Sequence, residues 1–446
     1  MKKDVLWGYT SQFLQYGAAL LVLPLLLTKL SSAELGVWYV FMTISAFVSM
    51  LDMGFTPTLA RNVSYVMGGA KRLQKNGYEV VEQSGDVDYG LVKAIVAVSR
   101  RIFFWIAAAA LILLAFPGSA YILHVTHEQV DQHAVLLAWG VFVIATVINL
   151  FYKYYTPLLQ GRGIFSGFYK SSTLANLGFV IVSAILLQAG LGLLAVALGY
   201  LVSALLGRWL SWYYFYDAPF KVRLEHASAA SVSSAEIFSS MWHNAWRLGL
   251  GVIGAFLILR ANTLLASIYL GLATTATYAL TLQVFSVLQS VSIVVFNVQL
   301  PKLAQYRVTN QRKALKQTME LGFVCALGLF TFGTLLLLWV GTPLIRAIGG
   351  RTELLSGPLL ALTGLMILLE LSHSLAAGVI VTANQVPFVK PALLSGGAIV
   401  LSSWLGLKYA GFGVAWLIGV QFIVQLAYNN WKWPWMIYRE FYDRGE

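Results

Sequence analysis

Two ionisable side chains stand in the middle of long apolar runs. Arg260 lies near the centre of one run, in Leu257–Asn262, and Glu370 lies near the centre of another, in Leu368–Leu371. A charge at the centre of a membrane helix costs about 2.5 to 3.5 kcal/mol, so it needs a partner, a water-filled cavity or a function. We predict that Arg260 contacts an anion in a central cavity and that Glu370 couples a proton or cation. The alternative is a structural salt bridge between the two.

Asp52 is a third ionisable residue in apolar surroundings, and it is followed closely by Gly54 and Pro57. A carboxylate beside a glycine and a proline predicts a hinge or a broken helix that lines a cavity. In that interpretation Asp52 serves ion coupling or gating. The alternative is an anchor at a helix end that reaches the water of the headgroup region.

Arg61 and Lys153 lie at predicted cytoplasmic helix ends, where basic side chains most often extend toward the headgroups as anchors. Their neighbours include Asn62 on one side and Tyr152, Tyr154 and Tyr155 on the other. Hydroxyl, amide and cationic groups together are suited to sugar and phosphate. We therefore predict that Arg61, Asn62 and Lys153 contribute to substrate binding.

Catalytic and metal-binding patterns are not found in the sequence. The histidines of the loop around His124, His127 and His133 have spacings that match no standard zinc site. The chain has no G-x-x-x-x-G-K-[ST] phosphate loop and no Ser, His and Asp constellation for nucleophilic chemistry. We predict a protein that is not an enzyme and that holds no metal or resident cofactor.

The elements that must position these residues are membrane helices. Hydrophobic residues make up 59% of the chain and charged residues 11%, where a soluble domain has about 25% charged residues. Twelve apolar runs are long enough to cross a hydrocarbon layer of about 30 Å. They fall at about 5–28, 36–58, 102–125, 134–159, 171–189, 193–216, 248–270, 273–300, 320–341, 358–382, 391–408 and 411–431. The division of 171–216 rests on a short polar break near Gly190, and a span followed by a re-entrant hairpin is the alternative.

Lys and Arg are concentrated in alternate loops, which predicts a multi-pass protein with both termini in the cytoplasm. This asymmetry accounts for the net charge of +12 without a nucleic-acid partner. Pro57 and Pro301 end equivalent runs and are each followed by a basic stretch, so the chain reads as two similar halves. We predict a six-helix lobe over 1–216, a cytoplasmic linker over 217–247, and a second six-helix lobe with a cytoplasmic tail over 248–446.

Three stretches carry a family resemblance: Leu35-Gly36-Val37-Trp38-Tyr39, Leu51-Asp52-Met53-Gly54-Phe55-Thr56-Pro57 and Ala60-Arg61-Asn62. Here the sequence resembles the Wzx-type flippases of O-antigen and polysaccharide biosynthesis. These belong to the multidrug/oligosaccharidyl-lipid/polysaccharide exporter (MOP) superfamily. Arg61 matches the motif directly, whereas the roles of Arg260 and Lys153 rest on the physical argument alone.

The resemblance implies an all-α protein of the bacterial inner membrane, with two six-helix lobes related by pseudo-two-fold symmetry around a central lumen. Such a protein moves undecaprenyl-pyrophosphate-linked oligosaccharide to the periplasmic leaflet by alternating access, in lipopolysaccharide or related biosynthesis. Its partners are the lipid-linked glycan, the bilayer and, as one option, polysaccharide-assembly enzymes at cytoplasmic loops such as Gly68–Lys93. The coupling ion is left open between H⁺, Na⁺ and none.

Two other classes of function are compatible with parts of the sequence. A cation-coupled multidrug exporter of the same architecture would use Asp52 and Glu370 to bind cations, although Arg260 would repel them. A membrane glycosyltransferase or O-antigen polymerase would carry a long outer loop with clustered charges. The longest predicted outer loops, Ser119–His133 and Gly341–Gly357, are both short.

Overall fold

The computed structural model describes residues 21–74, 86–228, 232–383 and 385–443. Within these ranges the chain folds into helices, turns and loops, with no β-strand. The helices, in chain order, are α1 (Ser32–Ser49), α2 (Phe55–Met67), α3 (Tyr89–Leu113), α4 (Ser119–Thr126), α5 (Gln132–Phe151), α6 (Tyr155–Gly161), α7 (Phe165–Gln188), α8 (Gly192–Phe215), α9 (Ala218–Glu225), α10 (Ser234–Leu259), α11 (Ala261–Tyr269), α12 (Leu272–Asn297), α13 (Leu300–Val308), α14 (Arg312–Leu336), α15 (Thr342–Ala347), α16 (Gly357–Val381), α17 (Val389–Tyr409), α18 (Val414–Ala427) and α19 (Asn429–Tyr438).

Ten helical stretches in the described ranges are long and apolar enough to cross a membrane. They correspond to ten of the twelve predicted runs, and the predicted all-α membrane fold is confirmed. Several stretches extend beyond their runs: α3 begins at Tyr89 rather than near residue 102, and α10 begins at Ser234 rather than near 248. A helix can continue past the hydrocarbon into the headgroup region, so hydropathy detects only its apolar part.

Two predicted runs are not among the ten stretches. Most of the run at 5–28 lies outside the described residues, as does the middle of the predicted partner loop Gly68–Lys93. The run at 411–431 is divided at Tyr428, where φ is −144° and ψ is −62°. Its apolar part, α18, has 14 residues, which is about 21 Å of helix.

The predicted division of 171–216 into two spans is confirmed. Helices α7 and α8 have 24 residues each, and they form an antiparallel hairpin through a turn in which Gly190 has φ +85°. Small residues let the two backbones approach closely: a Cβ on Gly199 would meet Ser183 Oγ, and one on Gly207 would lie 2.9 Å from Ala175 Cβ. Two full-length helices leave no re-entrant segment here.

The chain forms two compact units. The first is built on Ile44–Val252, and the second on the residues from Ile253 onward together with Leu30–Thr43. The structure therefore differs from the predicted linker over 217–247. That segment includes α9 and the first half of α10, whose Ile237, Met241 and Ala245 are fully buried in the core of the first unit. A helix whose apolar face packs into a core is part of the unit.

Candidate functional site

Asp52 and Lys153 form an ion pair in the first unit. Lys153 Nζ lies 2.8 Å from Asp52 Oδ2, and the side chains are 27% and 11% exposed, respectively. Asp52 also accepts hydrogen bonds from Thr56 N at 3.1 Å and Thr56 Oγ1 at 2.5 Å. The carboxylate thus has three donors, one of which is an amide of the first turn of α2 that lacks a helical partner.

A break in the helix places Asp52 there. A 3₁₀ turn over Met50–Asp52 follows α1, and Met53 and Gly54 then have positive φ values of 45° and 76°. A Cβ on Gly54 would lie 2.6 Å from Leu248 Cβ and 2.7 Å from the carbonyl oxygen of Ala245 in α10. The predicted broken helix is therefore present, and glycine is needed both for its backbone conformation and for its close contact.

Arg61 and Asn62 lie on α2, and each has hydrogen-bond donors with no partner among the described residues. Arg61 is exposed and makes no hydrogen bond or ion pair with any described residue. Asn62 is 6% exposed, and its Nδ2 has no hydrogen-bond partner within the same ranges. A buried amide without a partner is uncommon because it has lost its hydration without compensation.

Arg260 lies at a second break, between α10 and α11 of the second unit. Its φ of −126° departs from helical values, so the side chain leaves the end of one helix rather than the middle of a continuous one. Arg260 thus lies within the helical stretch Ser234–Tyr269, as predicted from the apolar run, but at a local break in it. Hydropathy could not show the break because the residues on both sides are apolar or small.

Arg260 and Glu370 line one cavity of about 80 Å³, together with Ser286, Gln289 and Gln421. No ion pair within 4.0 Å joins Arg260 to Glu370, and the guanidinium has no other hydrogen-bonding partner in the described ranges. The sequence alternative of a structural salt bridge is therefore not observed. The structure instead presents an uncompensated cation beside amide and hydroxyl groups.

A series of hydrogen bonds holds Glu370 to polar residues of neighbouring helices. Its Oε2 accepts from Gln425 Nε2 at 3.1 Å. Asn429 Nδ2 donates to Gln425 Oε1 at 2.8 Å and to Ser395 Oγ at 2.9 Å. The ring of His373 also faces Glu370, with Nδ1 lying 4.0 Å from Oε1.

Sequence reasoning missed several of these polar residues. His373 and Gln425 are single polar residues in apolar runs. Their importance follows only from their positions relative to Glu370, because His373 is three residues further along the same helix and Gln425 bonds it from a neighbouring helix. Arg208 donates to Asn149 Oδ1 at 2.8 Å and to Thr156 Oγ1 at 2.7 Å. A cluster of single polar residues in neighbouring runs was the only available signal.

The structure brings the predicted residues together in two groups, one in each unit. Asp52 and Lys153 are in contact, and Arg61 and Asn62 are adjacent on α2. Arg260 and Glu370 share a cavity in the other unit. Asp52 and Lys153 neutralise each other, whereas no ion pair joins Arg260 to Glu370.

Comparison with known proteins places this arrangement in a family. Residues 1–307 match a family described as polysaccharide biosynthesis protein. The chain belongs to this family. No curated protein sequence matches the chain significantly.

Solved structures with the same fold are membrane transporters. The chain is similar to a multidrug resistance MATE family transporter of the MOP superfamily in its inward-facing conformation, at 12% identity and a TM-score of 0.68, over 98% of this chain and 96% of that one. It is also similar to the MATE multidrug transporter DinF-BH, at 12% identity and a TM-score of 0.64, over 98% and 95%. A MOP superfamily transporter from Pyrococcus furiosus Vc1, described as having a binding pocket of reverse polarity, has 12% identity and a TM-score of 0.50, over 98% and 92%. At this identity the likeness shows a shared fold and not a shared substrate.

Proposed function

We propose that the protein is a flippase of the bacterial inner membrane that moves undecaprenyl-pyrophosphate-linked oligosaccharide from the cytoplasmic to the periplasmic leaflet. Family membership supports a role in polysaccharide biosynthesis, and the fold supports transport. The observation that carries the substrate class is Arg260. It is a guanidinium without a counter-charge in the described residues, and it lines a cavity in a membrane-spanning unit.

A phosphate group has the chemistry that this cavity lacks. The planar guanidinium offers paired N–H donors that match two phosphate oxygens. The amides of Gln289 and Gln421 and the hydroxyl of Ser286 line the same space and supply further donors. A cavity of about 80 Å³ holds a few waters or a phosphate group, but it does not hold an oligosaccharide. The sugars therefore stay outside the cavity, and Arg260 contacts only the phosphate group.

The first unit carries its own set of polar groups suited to sugar or phosphate. Arg61 is exposed with all five N–H donors available within the described ranges, and Asn62 has an unused amide beside it. Lys153 is already neutralised by Asp52. In the proposed cycle Arg61 and Asn62 bind sugar or phosphate, and the Asp52–Lys153 pair serves gating at the helix break.

Other features of the cycle follow from the same proposal. Glu370 is the candidate for coupling to H⁺ or Na⁺, because its carboxylate lines the cavity that holds the anion. Both termini and the basic loops lie in the cytoplasm, where polysaccharide-assembly enzymes can dock. Release requires moderate binding, and a single arginine with neutral donors provides it better than a cluster of cations would.

A cation-coupled multidrug exporter is the second candidate. The observation in its favour is Glu370, a carboxylate that lines the same cavity as Arg260. The fold does not decide between the two, since the solved relatives include multidrug transporters and one MOP transporter described as having a pocket of reverse polarity. The two functions differ in the charge of the substrate: Arg260 would attract the anionic head group of a lipid-linked glycan and repel a cationic drug.

Reconstitution separates the two functions. The purified chain is placed in liposomes that contain either a fluorescent polyprenyl-pyrophosphate oligosaccharide or a cationic dye. We expect inward or outward movement of the lipid-linked glycan and no transport of the dye. Dye transport without movement of the glycan would replace the flippase with the exporter.

Arg260→Gln tests the residue. Loss of about 2 to 3 kcal/mol of charge-assisted hydrogen bonding lowers flipping by about 30- to 150-fold, while Arg260→Lys restores part of it. Arg351→Gln is the matched control, because it removes the same charge from an exposed residue that does not line the cavity. Equal activity of Arg260→Gln and Arg351→Gln would remove Arg260 from the site.

A further inference from the structure

A cavity of about 420 Å³ lies among helix ends of the first unit. Arg100 of α3, Tyr152 of the turn after α5 and Arg208 of α8 line it, and α3 and α8 both pack against α5. All of its lining residues belong to the first unit, so this cavity is separate from the one that contains Arg260. Its volume is within the range of about 300 to 1,000 Å³ that is typical of ligand sites.

The guanidinium of Arg208 is fixed in this cavity by neutral groups. Its Nε donates to Asn149 Oδ1 at 2.8 Å, and its Nη1 donates to Thr156 Oγ1 at 2.7 Å. Nη2 also donates to Asn149 Oδ1, and Asn149 Nδ2 in turn donates to the hydroxyl of Tyr200 at 3.4 Å. Three of the five N–H donors of the guanidinium are thus used. The other two, one on each Nη atom, have no partner among the described residues.

No carboxylate balances the positive charge of this cavity. The elements that line it, which are α3, α5, the turn Tyr152–Tyr154, α6 and α8, contain no Asp or Glu. Arg208 has no ion pair within the described ranges, and the exposed Arg100 has neither an ion pair nor a hydrogen bond there. Lys153 does not line the cavity and is paired with Asp52. The two arginines therefore offer an unbalanced positive charge to a ligand.

The rim of the cavity is apolar and aromatic. Leu205, Trp209 and Trp212 follow one face of α8 at i, i+4 and i+7, and they are 48%, 57% and 46% exposed. Arg208 lies seven positions before Phe215, the end of α8, which is about 10 Å along the helix axis. Trp favours the level of the lipid headgroups, and an arginine near a helix end reaches the same level. A ligand with its charge at the guanidinium can therefore lay an apolar chain along the exposed face of α8.

We propose that this cavity binds the phosphate headgroup of an anionic phospholipid of the surrounding bilayer, with Arg208 as the main contact and Arg100 as a second cation. Phosphate oxygens match the two unpartnered N–H donors on the Nη atoms. Basic pockets between membrane helices are suited to anionic headgroups. A lipid-linked pyrophosphate has related chemistry, but a resident phospholipid suits a cavity that needs no residue of the second unit. The inference does not rest on the proposed function.

Native mass spectrometry of the full-length protein in detergent tests the site, because it resolves each bound lipid. Dioleoyl phosphatidylglycerol and dioleoyl phosphatidylcholine are the probes, and the equilibrium constant for the first bound molecule is measured for each. We expect phosphatidylglycerol to bind about tenfold more tightly, because the choline group brings a cation toward two arginines. Equal constants for the two lipids would overturn the proposal.

Substitutions locate the preference. Arg208→Gln should weaken the binding of phosphatidylglycerol about 10- to 100-fold, because charge-assisted hydrogen bonds are lost, and Arg208→Lys should recover part of it. Arg100→Gln should weaken binding about two- to fivefold, as expected for an exposed charge. Lys93→Gln is the matched control, because Lys93 is exposed on the same helix as Arg100 and does not line the cavity. Equal binding by Arg208→Gln and Lys93→Gln would contradict the assignment. If Arg208→Gln does not fold, the same comparison between Arg100→Gln and Lys93→Gln decides.

Competition distinguishes the phospholipid from other phosphate compounds. Inorganic phosphate and farnesyl pyrophosphate, each in excess over phosphatidylglycerol, should leave the first phosphatidylglycerol bound. Displacement by inorganic phosphate would show that the cavity binds a free anion, and displacement by farnesyl pyrophosphate would show that it binds a lipid-linked pyrophosphate. Either result would remove the phospholipid from the site. Arg260→Gln should not change the binding of phosphatidylglycerol, so a failure of the proposed transport function leaves this site intact.

Discussion

Gly54 holds the helix break that presents Asp52 to Lys153, and replacing it with alanine should be costly for two separable reasons. Its φ of +76° is a left-handed conformation, which costs an L-residue about 1 to 2 kcal/mol. In addition, the new Cβ would lie 2.6 Å from Leu248 Cβ and 2.7 Å from the carbonyl oxygen of Ala245. The second contact is with backbone, so α10 must move to relieve it. Such overpacking costs about 1 to 3 kcal/mol.

Gly163 offers a matched control in the same unit. Its φ is +74°, almost equal to that of Gly54, but a Cβ at this position would meet no atom within 4 Å. Gly163→Ala therefore carries the conformational cost alone, about 1 to 2 kcal/mol. Gly54→Ala should cost about 2 to 5 kcal/mol in total. The difference between the two variants, about 1 to 3 kcal/mol, isolates the contact with α10.

Unfolding of the detergent-solubilised protein by increasing mole fractions of SDS measures both free energies, with tryptophan fluorescence as the signal. Gly54→Ala should unfold at a clearly lower SDS fraction than Gly163→Ala. A substitution in α10 that removes the Leu248 Cβ should recover part of the contact cost, and Leu248→Gly is the variant to combine. Equal destabilisation by Gly54→Ala and Gly163→Ala would show that the break does not pack on α10 as described.

Three further predictions concern individual polar groups. Removing Lys153 (Lys153→Met) should cost about 2 to 4 kcal/mol and exceed the cost of Asp52→Asn, because it leaves a buried carboxylate; in a double-mutant cycle the coupling should be about 1 to 3 kcal/mol, and additive losses would deny the pair. Asn62→Leu should raise stability by up to about 1 to 2 kcal/mol, since it removes an unsatisfied buried amide, yet it should lower flipping; a loss of both would make Asn62 structural. Burial raises the pKa of Asp217. Hydrogen bonds from the Phe220 amide in the first turn of α9 and from Arg162 together lower that pKa by more, so the net pKa is below its ordinary value. A carboxylate with a lowered pKa contributes stability above pH 3.8, its ordinary value, and this contribution is lost as the pH falls through the pKa of the folded protein. Asp217→Asn should therefore be less stable than the unmodified protein at neutral pH and equally stable in acid. A difference in unfolding free energy that does not change with pH would show that the charge of Asp217 is not its cause.

The membrane helices could be predicted from sequence because hydrocarbon imposes one requirement on every residue of a span. The hairpin of α7 and α8 shows this, since two 24-residue helices follow from apolar length and one glycine turn. The break at Asp52 was also predictable, because Gly54 and Pro57 are strong local signals. The linker over 217–247 was placed wrongly, because the polar start of α10 reads as a loop until its core partners are known.

Pairing between helices could not be predicted in the same way. Lys153 lies 101 positions from Asp52 in the chain, and nothing in its local sequence identifies that carboxylate as its partner. The alternative of a salt bridge between Arg260 and Glu370 illustrates the converse. Both were found from their position in apolar runs, but whether they touch depends on side-chain directions that a break at Arg260 changes. His373 was passed over for the same reason.

Among the described residues Lys153 of the first unit has a paired carboxylate and Arg260 of the second has none, and from this difference we infer different roles for the two cations. In the first unit the carboxylate of Asp52 has three donors, including a cation at 2.8 Å, so an arriving anion would have to displace an internal bond before Lys153 could bind it. In the second unit Arg260 has no bond to lose among the described residues. Net binding energy is what remains after such internal contacts are broken, so we expect Arg260 to bind an anion more tightly than Lys153 does. The Asp52–Lys153 pair is better suited to hold the helix break, because a closed pair resists movement until something replaces one of its members.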